Sequence, residues 1–273
     1  MNFRIRAARF LLKLGDFLQS LPVVVMRPDD LVEFSRQHYT GSGLAGWGEE
    51  ALVDAGLWEE ELDLLKDLPA TTGELLLLGV GGGREAIPLA RMGFQVTGVD
   101  YVPAMLACAQ ENAARRGLRL QGLVQEISRL EAPANAYDVV WLSSAAYSFV
   151  PTRARRVEMV RRIARALKPG GVFLFQFHRD LRLQAPRKIR ALRRLMAVCT
   201  LGNLAYQEGD LLWGNVEFLH AFPDEQAVRA ELEEGGLSVV RFQTDLNPVR
   251  WGAVCRKSPA AGEKKQDGKE NAA

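Results

Sequence analysis

Leu75-Leu76-Leu77-Leu78 runs directly into Gly79-Val80-Gly81-Gly82-Gly83, and a helical pattern begins at Arg84. Four consecutive leucines suit a strand buried on both faces, as in a parallel sheet. The glycines permit backbone shapes with positive φ and leave room for a ligand to press against the main chain. Strand, glycine loop and helix together open a nucleotide-binding βαβ unit.

The next apolar segment, residues 94–99, reads as a second strand and ends in Asp100. An acid at the tip of the second strand, about 20 residues after the first glycine, is placed to grip ribose hydroxyls. Its other use would be to complement the dipole of the helix that follows; the glycine loop upstream favours the ribose. Two cofactors suit such a unit, a dinucleotide or S-adenosylmethionine. A dinucleotide fold wants a third glycine where this chain has Arg84. The glycines fall instead at alternate positions, Gly79, Gly81 and Gly83.

Residues 75–83, the run Gly98-Val99-Asp100-Tyr101-Val102-Pro103-Ala104-Met105-Leu106, and the turn Leu167-Lys168-Pro169-Gly170-Gly171 resemble the class I S-adenosylmethionine-dependent methyltransferases, over residues 70–257. The resemblance implies an α/β fold: a doubly wound, mostly parallel seven-stranded sheet with a C-terminal antiparallel strand pair and an N-terminal helical cap. It implies S-adenosylmethionine as cofactor and in-line displacement at the sulfonium methyl, with a small-molecule acceptor whose O, N or C atom is left open. An RNA or protein methyltransferase, or a non-catalytic homologue, is the alternative. Carried over position by position, the cofactor would meet Gly79, Val80, Gly81 and Gly83 in the loop, then Asp100 and Tyr101. Met105 would lie near the adenine. Glu126, in place of a more usual aspartate, and Ile127 would follow the third strand, and Ser143 would end the fourth. The chain departs from the family at Leu77, where the first motif usually has an acid; Glu85 or a backbone group is the available substitute. An Asn/Asp-Pro-Pro-Tyr motif is absent after the fourth strand, which tells against nucleobase or glutamine methylation.

Methyl transfer needs no nucleophilic side chain. Orientation alone supplies about 7–11 kcal/mol in favourable cases. A general base matters only for an acceptor that arrives protonated. The candidates, in order, are His178 at the tip of the fifth strand, His220 and Tyr147; each could equally be a lining or packing residue. Tyr39, in a polar glycine-rich stretch at residues 38–43, is either a cavity residue or a surface aromatic.

Around this centre the chain divides into a cap (residues 1–70), the cofactor-binding domain (71–257) with a substrate-side insertion (181–222), and a polar tail (258–273) expected to be disordered. Residues 28–48 read as irregular and 49–68 as helix. Thr152 is the expected N-cap of the helix before the fifth strand, and residues 237–244 and 250–256 are the closing strands. Residues 1–26 form a basic amphipathic helix. It either lies on a membrane surface, giving a weak contact there, or packs on the domain with its arginines solvated. Lys13 and Asp16 interrupt any signal-peptide core. The insertion is rich in Arg and Lys but poor in stacking aromatics, so a nucleic-acid partner is not expected. Three scattered cysteines suggest free thiols in a reducing, cytoplasmic setting, and three histidines outside any cluster suggest no metal. The sequence leaves the oligomeric state open.

Overall fold

The computed structural model describes residues 3–180 and 186–257. The tail expected to be disordered lies outside the described residues.

The leucine run forms β1 (Gly73–Leu78), with Leu75 to Leu78 all inaccessible to solvent. Alternation sends Leu75 and Leu77 to one face and Leu76 and Leu78 to the other. Leu75 and Leu77 pack with Leu64, Leu89, Leu106 and Ala109. Leu76 and Leu78 pack with Met159, Val160, Ile163 and Val228. The strand therefore needs a helical layer on each side, which forces a three-layer α/β sandwich.

β1 sits between β2 (Phe94–Asp100) and β4 (Tyr137–Leu142); β3 (Gln121–Val124) lies beyond β2 and β5 (Leu167–His178) beyond β4. These five strands are parallel. β9 (Arg250–Lys257) runs antiparallel to β5, and β8 (Leu237–Gln243) closes the sheet against β9. The seven-stranded order is β3-β2-β1-β4-β5-β9-β8. On one face lie α7 (Ala86–Met92) and α8 (Pro103–Arg115); on the other lie α9 (Arg153–Ala166) and α11 (Glu225–Glu234). Thr152 does cap α9, its hydroxyl accepting from the Arg155 N–H at 3.3 Å. Asp224 caps α11 in the same way through the Ala227 N–H at 2.9 Å.

The stretch 28–48, expected to be irregular, is instead helical: α3 (Pro28–Thr40) and α4 (Ser42–Gly48), broken at Gly41. Pro28 sits in the first turn of α3, where its missing N–H is harmless. Asp30 accepts from the Arg27 N–H at 2.9 Å, and Leu31 and Ser35 form the buried stripe. The glycines at 41 and 43 masked that periodicity in the sequence. Before α3 come α1 (Phe3–Gln19) and α2 (Pro22–Val25); after α4 come α5 (Glu50–Ala55) and α6 (Glu59–Leu65). Within the insertion, α10 (Arg187–Thr200) is followed by a separate antiparallel pair, β6 (Asp210–Trp213) and β7 (Glu217–His220). No helix among the described residues is long and apolar enough to cross a membrane.

A cavity at the carboxyl ends of the parallel strands

The switch between β1 and β4, where the chain winds first to one side and then to the other, opens a crevice beyond the strand ends. A cavity lies there. Its floor is the glycine loop. Gly79 and Gly81 hold φ of 76° and 53°, and a β-carbon on Gly81 would point into open space. Gly82 instead faces the end of α4, where a β-carbon would fall 2.2 Å from the Trp47 carbonyl oxygen. Gly83 does not line the cavity. Its φ of 96° and its packing on Ala109 of α8, 3.5 Å from where a β-carbon would be, make it a helix-packing glycine rather than a ligand contact.

Asp100 stands beside this floor with its carboxylate nearly buried. Oδ2 accepts from the Gly81 N–H at 3.1 Å and Oδ1 from the Val102 N–H at 3.0 Å. Burial raises its pKa, and the backbone donors oppose the rise. Nine of the ten residues expected at the cofactor line this cavity: Gly79, Val80, Gly81, Asp100, Tyr101, Met105, Glu126, Ile127 and Ser143. Glu126 is already engaged there, accepting from the Ser128 hydroxyl and lying 3.4 Å from Arg129.

Leu77 is wholly core, so β1 brings no acid to the cavity. Glu85 lines it instead. The Ser143 hydroxyl donates to Glu85, and Arg84 pairs with it at 2.5 Å. Arg84 is itself buried. It forks onto Glu61 of α6 at 2.7 and 2.6 Å and lies 3.6 Å beneath the Trp58 ring. The cap thereby fixes the carboxylate at the start of α7. Just beyond β4, Ser144 and Ala145 hold φ of 46° and 61°, strained shapes for side-chain-bearing residues.

The three proposed bases do not line the cavity. Tyr147 is fully buried; its hydroxyl donates to Glu231 at 2.8 Å and its ring packs on Phe175 and Phe222. His220 is buried with Nδ1 2.7 Å from Asp210 Oδ1, and burial lowers its pKa. His178 lies one ring away, against Phe149 and Trp213, with its pKa pushed down to about 4 by burial and by Arg250. A base that weak accepts few protons at neutral pH.

Glu217, which sequence reasoning passed over, does line the cavity, together with Tyr39. The Tyr39 hydroxyl donates to Glu217 Oε1 at 2.6 Å. Burial lifts Glu217 to about 7, while the hydrogen bond from Tyr39 pulls the other way. The only sequence signal was a lone acid ahead of the apolar Phe218-Leu219. Trp47, Phe149, Val150 and Pro151 complete the walls. Among the described residues no group of His, Cys, Asp and Glu forms a metal site.

The methyltransferase-domain family matches residues 75–171, from the leucine run to the turn in β5. Residues 75–171 thus carry a methyltransferase domain, and the sheet around them has the fold of solved S-adenosylmethionine-dependent methyltransferases. A ubiquinone biosynthesis O-methyltransferase of Methylobacterium nodulans is 34% identical to this chain over 111 residues, 41% of this chain and 43% of that protein. The aligned part thus spans less than half of that relative. A demethylmenaquinone methyltransferase of Thermus thermophilus is 28% identical over 200 residues, covering 71% of this chain and 81% of that one. A solved S-adenosylmethionine-dependent methyltransferase of Methanosarcina mazei superposes with a TM-score of 0.57 at 20% identity, over 74% of this chain and 99% of that one. This last likeness is one of fold.

The cavity suits S-adenosylmethionine, the cofactor of methyltransferases that share this fold. Gly81 leaves open the space that a side chain would fill, and Asp100 presents a desolvated acceptor at its edge.

Proposed function

We propose that this protein transfers a methyl group from S-adenosylmethionine to a hydroxylated aromatic or quinol ring, with Glu217 as the proton acceptor. The observation that carries the reading is a near-buried carboxylate, poised near neutrality, on the wall of an otherwise largely apolar cavity.

Asp100 would hold the ribose hydroxyls, Met105 and Ile127 would flank the adenine, and Glu85 with Ser143 would meet the amino group. The sulfonium of the bound cofactor supplies an electrophilic methyl group. The protein's part is to orient the acceptor, exclude water and take one proton. Trp47, Phe149 and Val150 offer apolar surface to a ring. Tyr39 occupies Oε1 of Glu217, leaving Oε2 for the acceptor's hydroxyl proton. The relatives named for ubiquinone biosynthesis and for demethylmenaquinone support this acceptor class.

Calorimetric titration with S-adenosylmethionine and S-adenosylhomocysteine, with NADH as control, tests the first step. Labelled-methyl transfer to a panel of phenols and quinols, against alkyl amines, tests the second. Binding followed by methylation of a phenolic oxygen is expected. Transfer to amines alone would overturn the acceptor class, and heat from NADH alone would overturn the cofactor.

A further inference from the structure

Two amphipathic helices, far apart in sequence, are joined through α2, which follows α1 directly and packs on α10. α1 exposes Phe3, Phe10, Leu14 and Leu18, between 41% and 81% accessible. Spacings of seven, four and four residues put these on one helical face. Arg6 belongs to the same helix. α10 packs Ala197 against Val23 and Val24 of α2 and turns Leu195 and Val198 outward, 58% and 60% accessible. It carries five basic residues and no acidic one; Arg190 pairs with Glu208 and Arg193 donates to the Tyr206 hydroxyl, which leaves Arg187, Lys188 and Arg194 on the exposed flank.

The segment after α10 is tied to the segment after α1. The Asn203 N–H donates to the Val24 carbonyl at 2.8 Å, and Arg27 Nε donates to the Leu201 carbonyl at 3.1 Å. Gly202 lies so close to α2 that a β-carbon there would fall 2.4 Å from the Val25 carbonyl oxygen. Val25, Leu201 and Leu204 are exposed beside this join and extend the apolar surface of α10.

We propose that α1 and α10 together dock this protein on an anionic lipid bilayer, apolar side chains in the headgroup region and Arg6, Arg187, Lys188 and Arg194 against lipid phosphates. Interfacial helices combine an apolar face with basic flanks in this way. The charge pattern argues against a second copy of the chain as the occupant, since self-pairing would set arginine against arginine. Neither helix is long and apolar enough to span the bilayer. The docking face is independent of the identity of the methyl acceptor.

The test is flotation of the full chain with vesicles of phosphatidylglycerol and phosphatidylcholine, beside vesicles of phosphatidylcholine alone. Capture by the anionic vesicles, lost at high salt, is expected. Arg6→Ser should weaken partitioning about fivefold, the effect of one surface cation. The double variant Leu195→Glu, Val198→Glu should abolish capture, with thermal melting by circular dichroism unchanged because both positions are exposed. Absence of capture by anionic vesicles, or equal capture by both lipids, overturns the proposal without recourse to variants. So does capture that survives the α10 variant, or a dimer in light scattering that the same variant dissociates.

Discussion

Tyr39 and Glu217, 178 residues apart, share a 2.6 Å hydrogen bond on the wall of the cavity. The bond joins α3 of the cap to β7 of the insertion, so neither partner belongs to the sheet that carries the cofactor loop. Burial carries this carboxylate up to about 7, and the bond from Tyr39 opposes the rise.

The first prediction concerns pH. Burial raises Glu217 from the ordinary 4.5 to about 7. Between those values the folded protein holds a proton that the unfolded chain has released, so the contribution of this group to stability falls as pH rises through that window. Glu217→Gln removes the dependence, and its melting temperature should exceed that of the wild type above pH 7. Activity should run the opposite way. It rises as Glu217 ionises, and Glu217→Gln should lose about 10²–10⁴-fold in kcat. Tyr39→Phe removes the pull that lowers the pKa, so the rising limb of its pH–rate profile should move to higher pH. An unmoved limb in both variants would remove Glu217 from the chemistry.

Asp100→Ala should abolish measurable binding of S-adenosylhomocysteine in calorimetry. Two hydrogen bonds from a ribose to a charged acceptor contribute about 1.5–3 kcal/mol each, or 10²–10⁴-fold together. Unchanged affinity would show that the ribose lies elsewhere.

Neighbouring glycines should fail in different ways. Gly81→Ala puts a methyl group into open cavity at a φ of 53°, so it should weaken cofactor binding more than it lowers the melting temperature. Gly82→Ala drives a β-carbon to 2.2 Å from the Trp47 carbonyl oxygen, so it should displace α4 and lower the melting temperature first. The comparison is read by calorimetry and melting on the same two variants.

Tyr147→Phe should cost about 1 kcal/mol of stability in urea, the net value of one hydrogen bond, and leave kcat intact. Glu231 keeps its pair with Arg156 at 2.8 Å, so no buried charge is stranded. A large loss of kcat would restore Tyr147 to the reaction.

Much of the sheet was legible because each strand carried its own local signal. Residues 137–142 and Thr152 landed where apolar runs and cap chemistry put them. The glycine loop and Asp100 were legible for the same reason, being local in sequence. The proposed acceptor side was not. Tyr39 lay in a helix whose periodicity the glycines at 41 and 43 obscured, and Glu217 acquires its pKa only by burial against a residue from the other end of the chain. The two histidines lie off this cavity because a strand tip can point a side chain away from a crevice as readily as into it. His178 turned toward Trp213, and His220 toward Asp210.

The fork from Arg84 to Glu61 has a consequence for how this protein can be divided. The acid that begins α7, Glu85, is steered by a helix that precedes the recognisable domain, and Tyr39 and Glu217 flank that domain on both sides. A graft of residues 75–171 into another sheet would carry the glycine loop and Asp100 but leave Glu85 unsteered and the acceptor wall behind. Recombination at the domain's edges would transplant a handle without its tool, so the inheritable unit of chemistry here is longer than the unit of fold.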